Sequence, residues 1–216
     1  MLPEPPSEAA QKQRRRYAPR MPPQQRREQL IDAALGVIVE HGYEGVSIEA
    51  IARTAGVTRP VIYDHFPNLG QLLQALIGRE EQYALEQLAA VVPDAPPDDG
   101  DPAELFAAGV GRFLEAVLSR PETWRIILLP LEGTPPIVRD HVEMNRVRTQ
   151  ERIEILVRWA IQRSGIPANL DVELCARAIR SLSEEAGRMV LTDPVRFSPE
   201  RYEQFALAMM KLIWAP

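Results

Sequence analysis

Cysteine is almost missing from this chain. Cys175 stands alone in 216 residues, so no internal disulfide can form, and the chain suits a reducing cytoplasm. No run approaches the roughly 20 apolar residues needed to span a bilayer, so no membrane partner is expected. Residues 1–23 carry positive charge without an apolar block, unlike a secretory signal. The three histidines, His41, His65 and His141, are scattered and show no metal-ligand spacing, and no glycine-rich phosphate loop occurs. Neither a metal nor a cofactor is therefore expected. Excess positive charge is missing too, since the net charge is −5.

An acidic total argues against a nucleic-acid partner, but the distribution of charge removes that objection. Residues 1–27 hold 7 basic against 2 acidic side chains, and the deficit falls beyond residue 66. An acidic body is repelled by DNA everywhere except at one permissive end. Twenty prolines cluster at the N-terminus, at 93–102, at 130–136 and at helix starts, where they punctuate the chain.

Alternation of the strand type is not found, and the periodicity predicts an all-α chain of about nine helices. Residues 1–23, rich in Pro, Gln and Arg, read as a flexible basic arm. Helices are expected at about 24–41, 47–56, 58–66, 68–92, 102–119, 122–129, 135–163, 168–192 and 198–214. Residues 24–67 then form a three-helix unit and 68–216 a larger helical domain. In the first helix Leu30, Ala33, Ala34, Val37 and Ile38 fall at helical spacing, with Gly42 as a left-handed stop. Ser47 is a good N-cap, and Ile48, Ile51, Ala52 and Ala55 form the next buried stripe. Gly56 ends that helix, Thr58 caps the following one, and Pro60 sits in its first turn.

Two short helices joined by a tight turn over residues 47–66 make a helix-turn-helix, which lays its second helix in the major groove of DNA. Val57, Val61, Ile62 and Phe66 turn inward, leaving Thr58, Arg59, Pro60, Tyr63, Asp64 and His65 to point elsewhere. Arginine suits paired acceptors on phosphate or guanine, and hydroxyls at helix N-termini such as Ser47 and Thr58 suit phosphate. On this reading the partner is a double-stranded DNA operator. The alternative is a surface helix in a structural helix-turn-helix.

Residues 25–76 resemble the N-terminal domain of the TetR (tetracycline-repressor-like) transcriptional regulators. The likeness lies in His41-Gly42-Tyr43, Val46-Ser47-Ile48, Ile51-Ala52, Ala55-Gly56-Val57-Thr58, Ile62-Tyr63 and His65-Phe66. It implies a homodimer that binds an operator and releases it when a small molecule enters the second domain. It also implies that Thr58, Arg59, Pro60, Tyr63 and His65 occupy the reading helix, while Ser47 opens the supporting one. One departure is Leu69, where many members grip the DNA backbone with a lysine. Lys12, Arg14, Arg15, Arg16 and Arg20 of the arm are candidates to substitute for that contact; the alternative is a solubilising tail or expression leftover.

The helix at 198–214 is apolar on nearly all sides, which suggests burial by its own domain and by a second copy. With the helix at 168–192 it supplies the expected dimer residues Ala178, Leu182, Ala186, Met189, Phe205 and Met209. Symmetric reading helices about one DNA turn (~34–36 Å) apart would require a pseudo-palindromic operator. The candidates for binding an unidentified small-molecule effector are Trp124, Arg125, Leu128, His141, Met144 and Asn145. They match the mixture of apolar wall and few polar anchors found in ligand pockets. Cys175 reads as a small buried hydrophobe and Glu184-Glu185 as a solvated face, so enzyme chemistry has little support. The leading reading is a ligand-responsive transcriptional regulator, a repressor by preference. The alternative is an all-α interaction or ligand-carrying protein.

Overall fold

The computed structural model describes residues 21–92, 95, 99–129, 134–164 and 170–213, with a few side chains inside these ranges excepted. The proposed arm residues Lys12 to Arg20 lie outside the described residues. Nine α-helices and no strand occur among the described residues. They are α1 (Pro23–His41), α2 (Ile48–Ala55), α3 (Arg59–Tyr63), α4 (Leu69–Val91), α5 (Pro102–Ser119), α6 (Pro121–Leu128), α7 (Pro136–Ser164), α8 (Val172–Thr192) and α9 (Pro199–Ile213), with a 3-10 turn at Tyr43–Gly45. No described helix is long and apolar enough to cross a membrane.

Capping chemistry sets most of the boundaries. Ser47 Oγ accepts the Ala50 N–H at 3.1 Å, and Asn68 Oδ1 accepts that of Gln71 at 2.9 Å. Gly56, at φ 66° and ψ 33°, takes the left-handed conformation that closes α2. Gly42 also has positive φ, but with ψ −179° it is extended in ψ and not the left-handed stop expected. Asp101 and Asp171 cap α5 and α8, so α8 starts at Val172 and not at residue 168.

The first core joins Leu30, Ile31, Ile38, Ile51, Ile62 and Phe66 to Leu72, Leu76 and Ile77 of α4 and Ile126 of α6. It therefore continues past residue 67, and the helix-turn-helix is welded to α4 and α6. A second core gathers Phe113, Leu114, Val117, Trp124, Leu128, Ala186 and Val190, with the Phe113 and Trp124 rings edge to face at 5.3 Å. Gly187 lets α8 approach α6, since a Cβ there would meet Leu128 Cδ1 at 2.7 Å. A smaller cluster ties α7 to α8 through Ile153, Val157 and Ala176.

Candidate nucleic-acid interface and effector cavity

The third helix is shorter than its periodicity predicts, five residues against about eight. Its continuation, Asp64 and His65, forms a turn in which the N–H groups of His65 and Phe66 both reach the Ile62 carbonyl. A helix this short has no stability of its own in water. Ile62 is fully buried and Phe66 nearly so, while Val57 and Val61 are half-buried, so the helix is held from one side. Arg27 of α1 stacks its guanidinium 4.8 Å from the Phe66 ring centre, and Gln29 Nε2 donates to the Ala55 carbonyl at 3.0 Å. These contacts fix α3 relative to α1 and α2.

What remains outward is the expected set. Thr58, Arg59, Pro60 and Tyr63 are exposed, and His65 and Ser47 are half-buried. Tyr63 has 47% of its surface open, a high value for an aromatic with no structural need to be outside. Thr58 has the extended backbone of a cap, but its hydroxyl caps nothing, which corrects the capping role assigned from sequence. Its hydroxyl is left available to an outside acceptor. Ser47 differs, since its oxygen already serves Ala50. Arg59 is not idle: its Nη1 lies 2.9 Å from Glu49 Oε1 on α2.

At the other end, helices α4 to α9 line an open cavity of about 1370 Å³, to whose rim the exposed Ala178, Leu182, Phe205 and Met209 also belong. Its wall is mainly apolar, with Leu85, Leu88, Phe106, Val110, Ile127 and Leu156 representative. Of the effector candidates, Trp124, Leu128 and Asn145 line it, whereas Arg125 and Met144 lie outside it. His141 falls on α7, but its side chain is outside the described residues. Trp124 is buried and donates through Nε1 to Gln87 at 2.9 Å, so its ring is held in place. Asn145 donates its amide to Glu81 of α4. Cys175 also lines the cavity, half-buried; burial and then the charge of Asp171 push its thiol pKa up, as suits an inert thiol.

Two acidic residues behave differently from their sequence reading. Glu184 is not on a solvated face: it accepts from Arg146 at 3.2 Å and from Arg180 at 2.6 Å, beside the exposed Glu185. Glu80 is absent from every expectation above. Only 2% exposed, it is bound by Arg79 Nη2 at 2.7 Å and by the Thr123 hydroxyl of α6 at 2.5 Å. Arg79 also reaches Glu28 at 3.1 Å and Asp32 at 2.7 Å, both on α1. Burial opposes the Arg79 charge, but the hydrogen bonds to Glu80, Asp32 and Glu28 outweigh it and raise its pKa above the ordinary arginine value. Glu80 lines the cavity, so this network runs from the cavity wall to the first helix of the head.

The expected dimer residues divide. Leu182 is 71% and Phe205 60% exposed in the single chain, and Ala178 and Met209 are exposed beside them. Leu174 and Leu212 extend the same apolar surface. Met189 is half-buried and holds the Tyr202 hydroxyl through its sulfur at 3.0 Å. Ala186 is a correction: at 4% exposure it belongs to the chain's own second core, because that turn of α8 faces Phe113 and Trp124.

Residues 30–76 match the family model of bacterial regulatory proteins, tetR family. The transcriptional regulator SrpR of Pseudomonas putida is 30% identical over 158 residues, which cover 72% of this chain and 70% of that protein. The chain belongs to the TetR family. A second relative, the transcriptional activator FasR of Mycolicibacterium smegmatis, is 27% identical over 81% of this chain and 76% of its own length. Among solved structures, a TetR-like regulator from Rhodococcus sp. RHA1 superimposes with a TM-score of 0.72 at 21% identity, covering 91% of this chain and all of that one. FadR from Bacillus subtilis, solved with stearoyl-CoA, gives a TM-score of 0.63 at 20% identity, over 85% of this chain and 96% of that one. This TetR-family chain is thus a transcriptional regulator, and its relatives are regulators and not enzymes.

Proposed function

We propose that the chain is a homodimeric, ligand-responsive repressor that binds a pseudo-palindromic operator and leaves it when a small molecule fills the cavity. The observation that carries this is the exposed row Thr58, Arg59, Pro60 and Tyr63 on a helix anchored from behind by Ile62 and Phe66. Residues 24–67 would do the reading, with His65 and Ser47 at the margin, and residues 68–216 would hold the effector and the partner. Leu182, Phe205, Met209 and Ala178 form the apolar surface that a second copy would cover. The arm residues Lys12 to Arg20 would add phosphate contacts in place of the lysine that Leu69 replaces.

Release requires that a ligand bind one arrangement of the heads better than another. The Arg79–Glu80–Thr123 network supports such coupling, since it binds the cavity wall to Glu28 and Asp32 of α1. FadR of Bacillus subtilis carries stearoyl-CoA, and the mainly apolar cavity here suits a ligand with an apolar body.

A gel shift with DNA from the protein's own promoter tests the reading. The unaltered chain should retard this DNA and the Arg59→Ala/Tyr63→Ala double variant should lose at least tenfold in affinity. Full affinity in a folded double variant overturns it.

A further inference from the structure

The carboxylate beside Arg59 restricts what that arginine can meet. Arg59 is the first residue of α3, and Glu49 stands in the first turn of α2. Arg59 Nη1 and Glu49 Oε1 lie 2.9 Å apart, with both side chains more than half exposed. Among the described residues neither has a second partner. The head therefore presents a donor and an acceptor side by side, at the end of the reading helix that reaches base edges.

Guanidinium N–H groups suit guanine, whose O6 and N7 both accept, or a phosphate oxygen. The carboxylate decides between them. Once an outside acceptor takes over the Arg59 N–H groups, Glu49 remains charged within a hydrogen bond's length of it. Against phosphate it would face a second anion with no donor at hand, and the two would repel. Beside guanine there is a donor, the N4 amino group of the paired cytosine. Guanine O6 and cytosine N4 are hydrogen-bonded to each other, about 2.9 Å apart, the spacing of the protein's own donor and acceptor. A T·A pair repeats the order of acceptor and donor, but thymine offers only O4, with a methyl group beside it.

We infer that Arg59 and Glu49 together read one G·C pair in each half-site, Arg59 on guanine O6 and N7 and Glu49 on the cytosine N4 amino group. Glu49 is then a specificity residue outside the exposed row of α3. A glutamine there would keep the acceptor and shed only the charge that competes for Arg59. The inference rests on α3 being the reading helix and deepens that reading.

Duplexes selected from a random pool by the full chain supply the probe. Each half-site should contain one G·C pair whose replacement by A·T weakens binding at least tenfold, a penalty that Arg59→Ala abolishes. Exchanging its cytosine for N4-methylcytosine keeps the base pair and the guanine edge but caps the N–H that points into the groove. Binding of the unaltered chain should fall at least fivefold, whereas Glu49→Ala, changed only at an exposed side chain, should respond by twofold or less. The inference alone is overturned by the lack of a G·C requirement, by one that outlasts Arg59→Ala, by indifference of the unaltered chain to the methyl group, or by an equal loss in Glu49→Ala. A pool from which the unaltered chain retains nothing overturns the DNA-reading helix as well.

Discussion

Arg59 on the reading helix and Glu49 on the supporting helix form an ion pair at 2.9 Å, with both side chains more than half exposed. An exposed pair of this kind is worth about 0–1 kcal/mol. Glu49 therefore tethers Arg59 without committing it, and a phosphate or a guanine can displace the carboxylate.

Glu49→Gln should accordingly strengthen operator binding by about two- to fivefold, the equivalent of that energy. Stability should stay within about 0.5 kcal/mol of the unaltered protein. Fluorescence anisotropy with labelled operator at fixed salt reads the first and a urea melt the second. Unchanged or weaker binding would mean that Arg59 does not meet DNA.

Tyr43 offers a pH test. Burial pushes its hydroxyl pKa from 10.0 up to about 12, and the oxygen is buried without a partner. A raised acid pKa means that the fold favours the neutral form. Below pH 10 the group leaves stability unchanged with pH, and stability falls as pH climbs from 10 to about 12, where the unfolded phenol ionises and the buried one resists. Two pKa units correspond to at most about 2–3 kcal/mol. Tyr43→Phe removes both the titration and the unmatched hydroxyl, so it should gain about 1 kcal/mol at pH 7 and fall less steeply above pH 10. Parallel alkaline curves for the two proteins would count against this account.

Arg79 is tested through the residue it protects. Arg79→Ala leaves Glu80 buried without its cation, which should cost about 3–5 kcal/mol in a urea melt. Adding Glu80→Leu should restore part of the loss, because it removes the buried carboxylate that had been left without its cation. A single variant no less stable than the parent would show that the Arg79–Glu80 contact does not hold the fold together.

The apolar surface on α8 and α9 is tested by charge. Leu182→Glu with Phe205→Glu should give a monomer by light scattering, still helical because both side chains are largely exposed in the single chain. Its operator affinity should fall at least tenfold, as one head replaces two. A dimer that survives both changes would place the interface elsewhere.

Much of this was legible in the chain itself. Leu30, Ile38, Ile51 and Ile62 announced the head through 3.6-residue spacing, and Ser47 and Gly56 marked the limits of α2 through cap chemistry. The end of α3 was not legible, because Tyr63-Asp64-His65 keeps an acceptable helical pattern although the chain turns there, with the His65 and Phe66 N–H groups sharing the Ile62 carbonyl. Glu80 could have been found: Leu72, Leu76, Glu80, Ala84 and Leu88 recur every fourth residue, which puts a carboxylate on an apolar stripe. Its partners could not, since Glu28, Asp32 and Thr123 lie on other helices and sequence spacing says nothing of them. The effector candidates divide for the same reason: Trp124, Leu128 and Asn145 line the cavity, yet Met144, adjacent to Asn145 on α7, does not.

The five residues of α3 take their rigidity from Ile62 and Phe66, side chains that belong to a cluster shared with α1, α2, α4 and α6. Its amide protons should therefore exchange with solvent only when that cluster opens, as one cooperative unit. Operator recognition and melting of the head then share a single temperature, and a core substitution far from any DNA contact can silence the gene switch in the cell by thermal loss alone.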